Sequence, residues 1–112
     1  MSAIDFLEKY LSLASQRHTT IVTNMANIDT PGYRTRDVDF RTELARYANG
    51  MPAGLQTTSR QVGGLIERPD GNNVNLDREG MALAETQMQY RTAVQLLRSE
   101  FHRLLTAINE GK

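Results

Sequence analysis

Two histidines are the first residues of this chain to consider for catalytic or metal-binding chemistry. His18 and His102 are its only histidines, and neither has a second histidine or a paired acid at the spacing of metal ligands. A single histidine in a helical pattern is usually part of a core edge or an interface. The 112-residue chain has no cysteine, which excludes a thiol nucleophile and a cysteine-ligated metal. We therefore predict no catalytic residues, no metal site and no cofactor, and we do not expect an enzyme.

The charges of the chain cancel, with 13 basic and 13 acidic residues. A nucleic-acid binder normally has a basic excess that neutralises phosphates, so no nucleic-acid partner is predicted. Tyr33, between Arg34 and Arg36, could stack on a base, but Asp37 and Asp39 follow directly and offset the local positive charge. The same neutrality argues against a polybasic contact with a membrane.

The N-terminal residues do not resemble a signal peptide. Asp5 and Glu8 interrupt the apolar core that such a peptide would need. No apolar run reaches the roughly 20 residues of a membrane-spanning helix, so we predict no direct membrane insertion. If the protein leaves the cytoplasm, we expect export by a route that needs no cleaved signal peptide.

Residues 1–30 have the pattern of one long helix. From Ile4 to Ile28, apolar residues recur at alternating spacings of three and four, interrupted only by one histidine. Pro31 disfavours a helical conformation at the preceding residue, so we expect the helix to end between Ile28 and Thr30. The predicted coiled-coil seam of this helix includes Leu7, Leu11, Ile21, Met25 and Ile28.

Residues 31–75 are predicted to contain a turn, a short helix and an extended loop. Asp39 can cap the short helix, and Asn49 with Gly50 can end it. From residue 50 to 75 the chain is rich in glycine and small polar residues, which predicts a mobile loop that buries little. Within it, a brief strand at 65–67 and a turn at 70–72 are weakly indicated.

Residues 76–112 have a second and longer helical pattern. Asn75 can cap its start, and Asp77 and Glu79 in the first turn complement the helix dipole. Gly111 is expected to end it. The predicted seam consists of Leu76, Gly80, Leu83, Gln87, Tyr90, Val94, Leu97, Phe101, Leu104 and Ile108.

The two helical patterns together predict an all-α fold that forms a single structural unit. Its long terminal helices should pack as an antiparallel coiled coil, joined by the short helix and the extended loop. We interpret Met25, Met81 and Met88 as adaptable residues of the core. One seam between two helices buries little apolar surface, so stable order is expected to need packing against other chains.

Two groups of residues beside the first helix are candidates for contact with another chain. Asn24 and Asn27 lie on one side of the helix, where they form either a solvated polar face or an interface that hydrogen-bonds to a neighbour. The segment Thr30-Pro31-Gly32-Tyr33 is a stiff turn that is expected to carry an exposed aromatic residue among mixed charges. We hypothesise that this turn is a joint between subunits.

Three segments resemble bacterial flagellar basal-body rod proteins. Asn24-Met25-Ala26-Asn27-Ile28-Asp29-Thr30-Pro31-Gly32-Tyr33 is similar to the N-terminal signature of that family. Its continuation Arg34-Thr35-Arg36-Asp37-Val38-Asp39-Phe40 is similar to that of the proximal rod proteins of the FlgB type. The segment Asp70-Gly71-Asn72-Asn73-Val74-Asn75-Leu76 with Glu79 is a second match, and Tyr90 is a third.

The resemblance implies a structural subunit of the flagellar rod. In that family, terminal helices of many copies pack into a helical tube that transmits torque. The implied partners are further copies of the chain, other rod and basal-body proteins, and the flagellar export apparatus. The implied location is the periplasm-spanning rod, and Asn73 and Tyr90 join the expected subunit interface. The alternative, which shares the heptads, is a cytoplasmic coiled-coil adaptor or export chaperone.

Overall fold

A computed structural model of the protein describes residues 2–50 and 59–111. Within these ranges the chain forms three helices and two short strands. In chain order they are α1 (Ala3–Ala26), β1 (Arg36–Val38), α2 (Phe40–Ala48), β2 (Ser59–Gln61) and α3 (Leu76–Glu110). The helix α1 packs against both α3 and α2. The prediction of two long terminal helices with a short helix between them is confirmed, and a two-stranded sheet is added to it.

Side-chain caps set most helix ends at the predicted residues. Ser2 and Asp5 form a reciprocal capping box at the start of α1. Asp39 caps α2, and the Asn75 side chain accepts a hydrogen bond from the Arg78 amide at 3.1 Å to cap α3. The end of α1 differs, because the last helical residue is Ala26 rather than a residue between 28 and 30.

The helices α1 and α3 run antiparallel with a defined register. Asn24, near the end of α1, contacts Glu79 near the start of α3, and Arg17 contacts Glu85. At the other end, Leu7 and Leu96 line one groove. The 24 residues of α1 span about 36 Å and the 35 residues of α3 about 52 Å. The last turns of α3 therefore extend beyond the first residue of α1.

The main apolar core lies between α1, β1 and α2. It contains Leu13, Val38 and Tyr47, with Phe40 and Leu44 packed against them. The ring of Phe40 also meets the ring of Tyr10 edge to face, with centroids 4.8 Å apart. The short helix is therefore held by its own apolar face, as its sequence pattern indicates.

The prediction of a strand at 65–67 is wrong. The strand that forms is β2, which pairs antiparallel with β1 so that Arg36 is opposite Gln61 and Val38 opposite Ser59. The Arg36 guanidinium reinforces the pair, because it donates to the Ser59 carbonyl oxygen at 2.6 Å. Ile66 is instead 91% exposed. The predicted loop includes residues 51–58, which lie outside the described residues.

The face of α3 that packs inside the chain is displaced from the predicted seam. Its buried residues are Glu79, Ala82, Thr86 and Ala93, and each lies one position before a predicted seam residue. Small side chains let α1 and α3 approach closely along this stripe. Among the predicted seam residues, Leu7 and Ile21 are buried, Leu11, Met25, Ile28, Leu83, Val94 and Leu97 are half-buried, and Phe101, Leu104 and Ile108 are exposed.

The prediction that Met81 and Met88 belong to the core is wrong. Their exposed fractions are 76% and 68%, respectively. Both residues project from the side of α3 that faces away from α1, because the buried stripe follows the small residues instead. Met25 is half-buried.

Candidate functional site

Asn24 is the centre of a buried joint between α1, β1 and α3. Its side-chain amide donates to the Arg36 carbonyl oxygen at 2.7 Å and to the Glu79 carboxylate at 3.1 Å. Its side-chain oxygen accepts from the Tyr33 hydroxyl at 2.9 Å and from the Arg36 amide at 3.2 Å. The residue has no exposed surface. All of its side-chain polar atoms are therefore hydrogen-bonded inside the chain. This position matches neither the solvated polar face nor the interface with a neighbouring chain that the sequence suggested.

Tyr33 is held in the same joint. Burial raises the pKa of its hydroxyl, the nearby Arg36 lowers it, the Glu79 charge raises it, and the net direction is upward. The hydroxyl therefore stays protonated and donates to Asn24. The aromatic residue of the predicted turn thus faces its own chain, while its ring remains half-buried.

A network of ion pairs connects α1, β1 and α3 beside this joint. Arg17 contacts the carboxylates of Asp37 at 3.1 Å and Glu85 at 2.9 Å. Arg78 contacts Asp37 at 2.9 Å and the fully buried Glu79 at 2.8 Å. Burial opposes the charge of Arg17, but the hydrogen bonds that it donates to the two carboxylates outweigh this effect and raise the pKa of its guanidinium. Such shared, partly buried pairs fix the relative position of the three elements.

The segment before α3 closes the end of α1 from outside the helix. The buried Asn72 side chain donates to the carbonyl oxygens of Asn27 at 2.9 Å and Thr30 at 2.8 Å. Arg68 donates to the carbonyl oxygen of Ile28. We call residues 68–72 the strap. These carbonyl oxygens follow Ala26, the last residue of α1, and the strap supplies the partners that a longer helix would have given them.

Asn73 anchors the segment after the strap to the chain before β1. Its side-chain oxygen accepts from the Thr35 amide at 2.6 Å, and its carbonyl oxygen accepts from the Thr35 hydroxyl at 3.2 Å. Thr35 is fully buried and Asn73 nearly so. The second segment that carries the family resemblance is therefore part of the same internal joint.

The turn at 30–32 is the exposed part of the joint. Thr30, Pro31 and Gly32 are all exposed, and the Gly32 amide donates to the Asp70 carbonyl oxygen at 2.8 Å. Gly32 has a φ of 75°, which a residue with a side chain adopts only with strain. Of the residues predicted for a subunit interface, Thr30, Pro31, Gly32 and Tyr90 are thus accessible, and Asn24 and Asn73 are not. Asn27 and Tyr33 are half-buried.

The second half of α3 carries several exposed apolar residues. Tyr90, Leu96, Phe101, Leu104, Leu105 and Ile108 have exposed fractions between 44% and 62%. Next to it, α1 and α3 enclose an open groove of about 710 Å³ lined in part by Ala14, His18, Val94 and Arg98. Isolated exposed apolar residues are common, but a row of them on one helix is typical of a protein contact surface.

The described residues contain no group of three or more histidine, aspartate or glutamate side chains placed to hold a metal ion. Neither long helix in the described ranges has an apolar stretch of the length that a membrane crossing requires. The site residues that sequence reasoning missed are Arg17, Thr35 and Asn72. The turn signal at 70–72 and the family match that begins at Asp70 were the clues to the strap.

Comparison with known proteins shows relatives along nearly the whole chain. No protein-family model matches it. The flagellar basal body rod protein FlgB of Escherichia coli K12 is 28% identical over 131 residues, covering 98% of this chain and 95% of the relative. The protein of the same name from Bacillus subtilis is 32% identical, covering 97% and 95%. The one from Cereibacter sphaeroides is 34% identical, covering 88% and 87%. On this similarity, the chain belongs to the FlgB family of flagellar basal body rod proteins.

Proposed function

We propose that the protein is a non-enzymatic structural subunit of the proximal rod, which assembles through its terminal helices into a helical tube that transmits torque. The observation that carries this proposal is the exposed apolar face of α3. Within it, Phe101, Leu104 and Ile108 continue the heptad seam of α3, yet the chain itself packs α3 through residues nearer its start. A seam that the chain leaves exposed is available for other subunits.

The joint supports a mechanical role. A subunit that transmits torque must keep the angle between its elements under load. Asn24, Asn72 and Asn73 are buried and hydrogen-bond across segments that are far apart in sequence. Because breaking such contacts leaves buried polar groups without partners, the joint resists deformation.

The proposed partners are further copies of the chain, other rod and basal-body proteins, and the flagellar export apparatus. The proposed location is the periplasm-spanning rod of the basal body. The exposed turn at 30–32 and Tyr90 are proposed to contact neighbouring subunits, because they are the accessible members of the predicted interface set.

Changing Phe101 to Asp tests the proposal. This side chain is 52% exposed, so a charge there should leave the monomer folded while it places an ion in a subunit contact. We expect export of the variant to continue, but rod assembly and swimming to be lost. Thr106→Asp is the matched control, since it adds the same charge about 140° away around α3 and should leave swimming intact.

Normal swimming of the Phe101→Asp strain would contradict the proposal. Fractionation of cells with complete basal bodies gives a second test. A rod subunit is recovered with the basal bodies, whereas a coiled-coil adaptor or an export chaperone would remain in the cytosol.

A further inference from the structure

The groove between α1 and α3 combines an apolar lining with positive charge. Ala14 lines it from α1, and Tyr90 and Val94 line it from α3. Arg91 and Arg98 line it as well, and both of these side chains are exposed. None of the described residues that line the groove is an aspartate or a glutamate. Its lining therefore carries arginine charges without a carboxylate beside them.

The two arginines of the groove differ from most others in the chain, because they have no partner among the described residues. Arg91 and Arg98 take part in no ion pair and no side-chain hydrogen bond there. Six other arginines form ion pairs inside the chain, namely Arg17, Arg34, Arg46, Arg68, Arg78 and Arg103. The charges of the groove are thus available to carboxylates from outside the chain.

The heptad pattern of α3 places both arginines on one flank of its seam. Arg91 and Arg98 each follow a predicted seam residue directly, and they are seven residues apart. Charges at this flanking position select the partner helix in a coiled coil. The opposite flank carries Thr86 and Ala93, which are buried within the chain. One flank of the seam is therefore occupied by the fold, and the other is open and basic.

A helix is the partner structure that fits this spacing. Arg91 and Arg98 are about 10 Å apart along α3, and two residues seven apart on a neighbouring helix have the same separation. We propose that the groove binds a helix of another protein, which packs apolar residues on Tyr90 and Val94 and places two carboxylates, seven residues apart, against the arginines. This inference rests on the proposed rod function and names the chemistry of one partner.

The helices of this chain do not carry the matching pair of carboxylates. In α1, Asp5 and Glu8 are three residues apart, and α2 has Glu43 as its one acidic residue. The acidic residues of α3 are at positions 77, 79, 85, 100 and 110, and no two of these are seven apart. Asp70 and Asp77 have the spacing, but Asp70 lies in the strap and outside α3. A helix from a second copy would therefore not supply the pair.

Photo-crosslinking in basal bodies tests the inference. Gln87 lines the groove and is exposed, so a benzoylphenylalanine in its place puts a photo-reactive group in the groove. The variant is made in a strain that also produces the unchanged protein, which supports assembly. We expect an adduct with a different protein, and mass spectrometry should locate the link in a helix with two carboxylates seven residues apart. The same group in place of the exposed Thr92, about 140° away around α3, should not form this adduct.

An exchange of charges then tests the role of the arginines. The double variant Arg91→Glu with Arg98→Glu should lower the yield of the adduct at least about tenfold, because it places like charges opposite each other. Replacement of the two carboxylates of the identified helix by arginine should restore the yield. Arg41→Glu is the control, since this arginine is exposed on α2, away from the groove, and its reversal should leave the yield unchanged.

Several results would overturn the inference while leaving the rod function intact. An adduct between the group at position 87 and another copy of this chain would show that the groove is a self-contact. A link to a segment without the carboxylate pair, no adduct from an incorporated variant, or an undiminished yield after charge reversal would refute the proposed chemistry. Absence of the unchanged protein from basal bodies would instead refute the proposed function, and the inference with it.

Discussion

Asn24 joins three segments of the chain through one side chain. Its amide group and oxygen make four hydrogen bonds, to Tyr33, to both backbone groups of Arg36 and to Glu79. A buried carboxylate such as that of Glu79 is costly unless every oxygen has a partner. Asn24 and Arg78 provide those partners. The polar joint is therefore satisfied only while this asparagine is present.

We predict that Asn24→Ala lowers the free energy of unfolding by about 3 kcal/mol, because it leaves a buried carboxylate oxygen and the Tyr33 hydroxyl without partners. Asn27→Ala is the matched control. Within the described ranges, the Asn27 side chain bonds to Thr23 and Thr30, both close to it in sequence, so its loss should cost about 1 kcal/mol or less. Urea unfolding followed by helical circular dichroism measures both. Equal losses in the two variants would contradict the central role of Asn24.

At the scale of elements, the end of α1 is set by a distant segment as well as by its own sequence. Pro31 predicts that a helix stops before it, but α1 already ends at Ala26. The strap bonds to the carbonyl oxygens of residues 27, 28 and 30, which holds the chain in a turn there. Pro31 thus limits how far the helix can extend, and the tertiary contact with the strap determines the residue at which it ends.

We predict that Asn72→Ala destabilises the protein by about 2–3 kcal/mol, whereas Pro31→Ala changes its stability by less than about 1 kcal/mol. The Asn72 side chain is fully buried and also accepts a hydrogen bond from the Val74 amide at 2.8 Å. Its removal therefore leaves several buried backbone groups without hydrogen-bond partners. Pro31 is exposed, and its substitution acts chiefly on the unfolded chain. Thermal unfolding of both variants provides the comparison. If Pro31→Ala destabilised the protein more than Asn72→Ala, the proline and not the strap would determine where α1 ends.

At the scale of the whole molecule, the part of α3 that packs inside the chain is separate from its exposed C-terminal end. The protein is elongated, with extents of 69 × 26 × 18 Å. The half of α3 next to α1 carries Glu79, Ala82, Thr86 and Ala93, which pack inside the chain. Every described residue from 101 to 111 is exposed. The end of the helix therefore contributes little to the fold of a single chain.

We predict that deletion of residues 101–112 leaves the monomer folded, with a change in unfolding free energy of about 1 kcal/mol or less, because no buried contact is removed. The same deletion should abolish incorporation into basal bodies. Calorimetry of the purified variant measures the first effect, and immunoblotting of isolated basal bodies measures the second. A deletion of equal length from the start of α1 serves as a contrast, since it removes the buried Leu7 and should destabilise the monomer. Loss of folding in the C-terminal deletion would show that the end of α3 is needed for the fold of a single chain.

The sequence by itself determined the helices and the family. Heptad spacing, the caps at Ser2, Asp39 and Asn75, and the glycine at 111 are local signals, and local signals specify the ends and the apolar periodicity of a helix. The segments around Pro31 and Asn73 were enough to indicate the rod-protein family, which the similarity to FlgB proteins then showed.

Only the tertiary structure decided which stripe of α3 packs inside the chain, which strand pairs with β1, and where Asn24 lies. Periodicity locates the apolar stripe but does not reveal whether its partner belongs to the same chain, so the intrachain contacts of Ala82 and Ala93 were not visible in the pattern. The polar strand β2 has no hydrophobic signal of its own and exists through its pairing with Arg36. Asn24 is buried because Glu79, 55 residues away, reaches it, and such long-range polar complementarity is not encoded in local spacing.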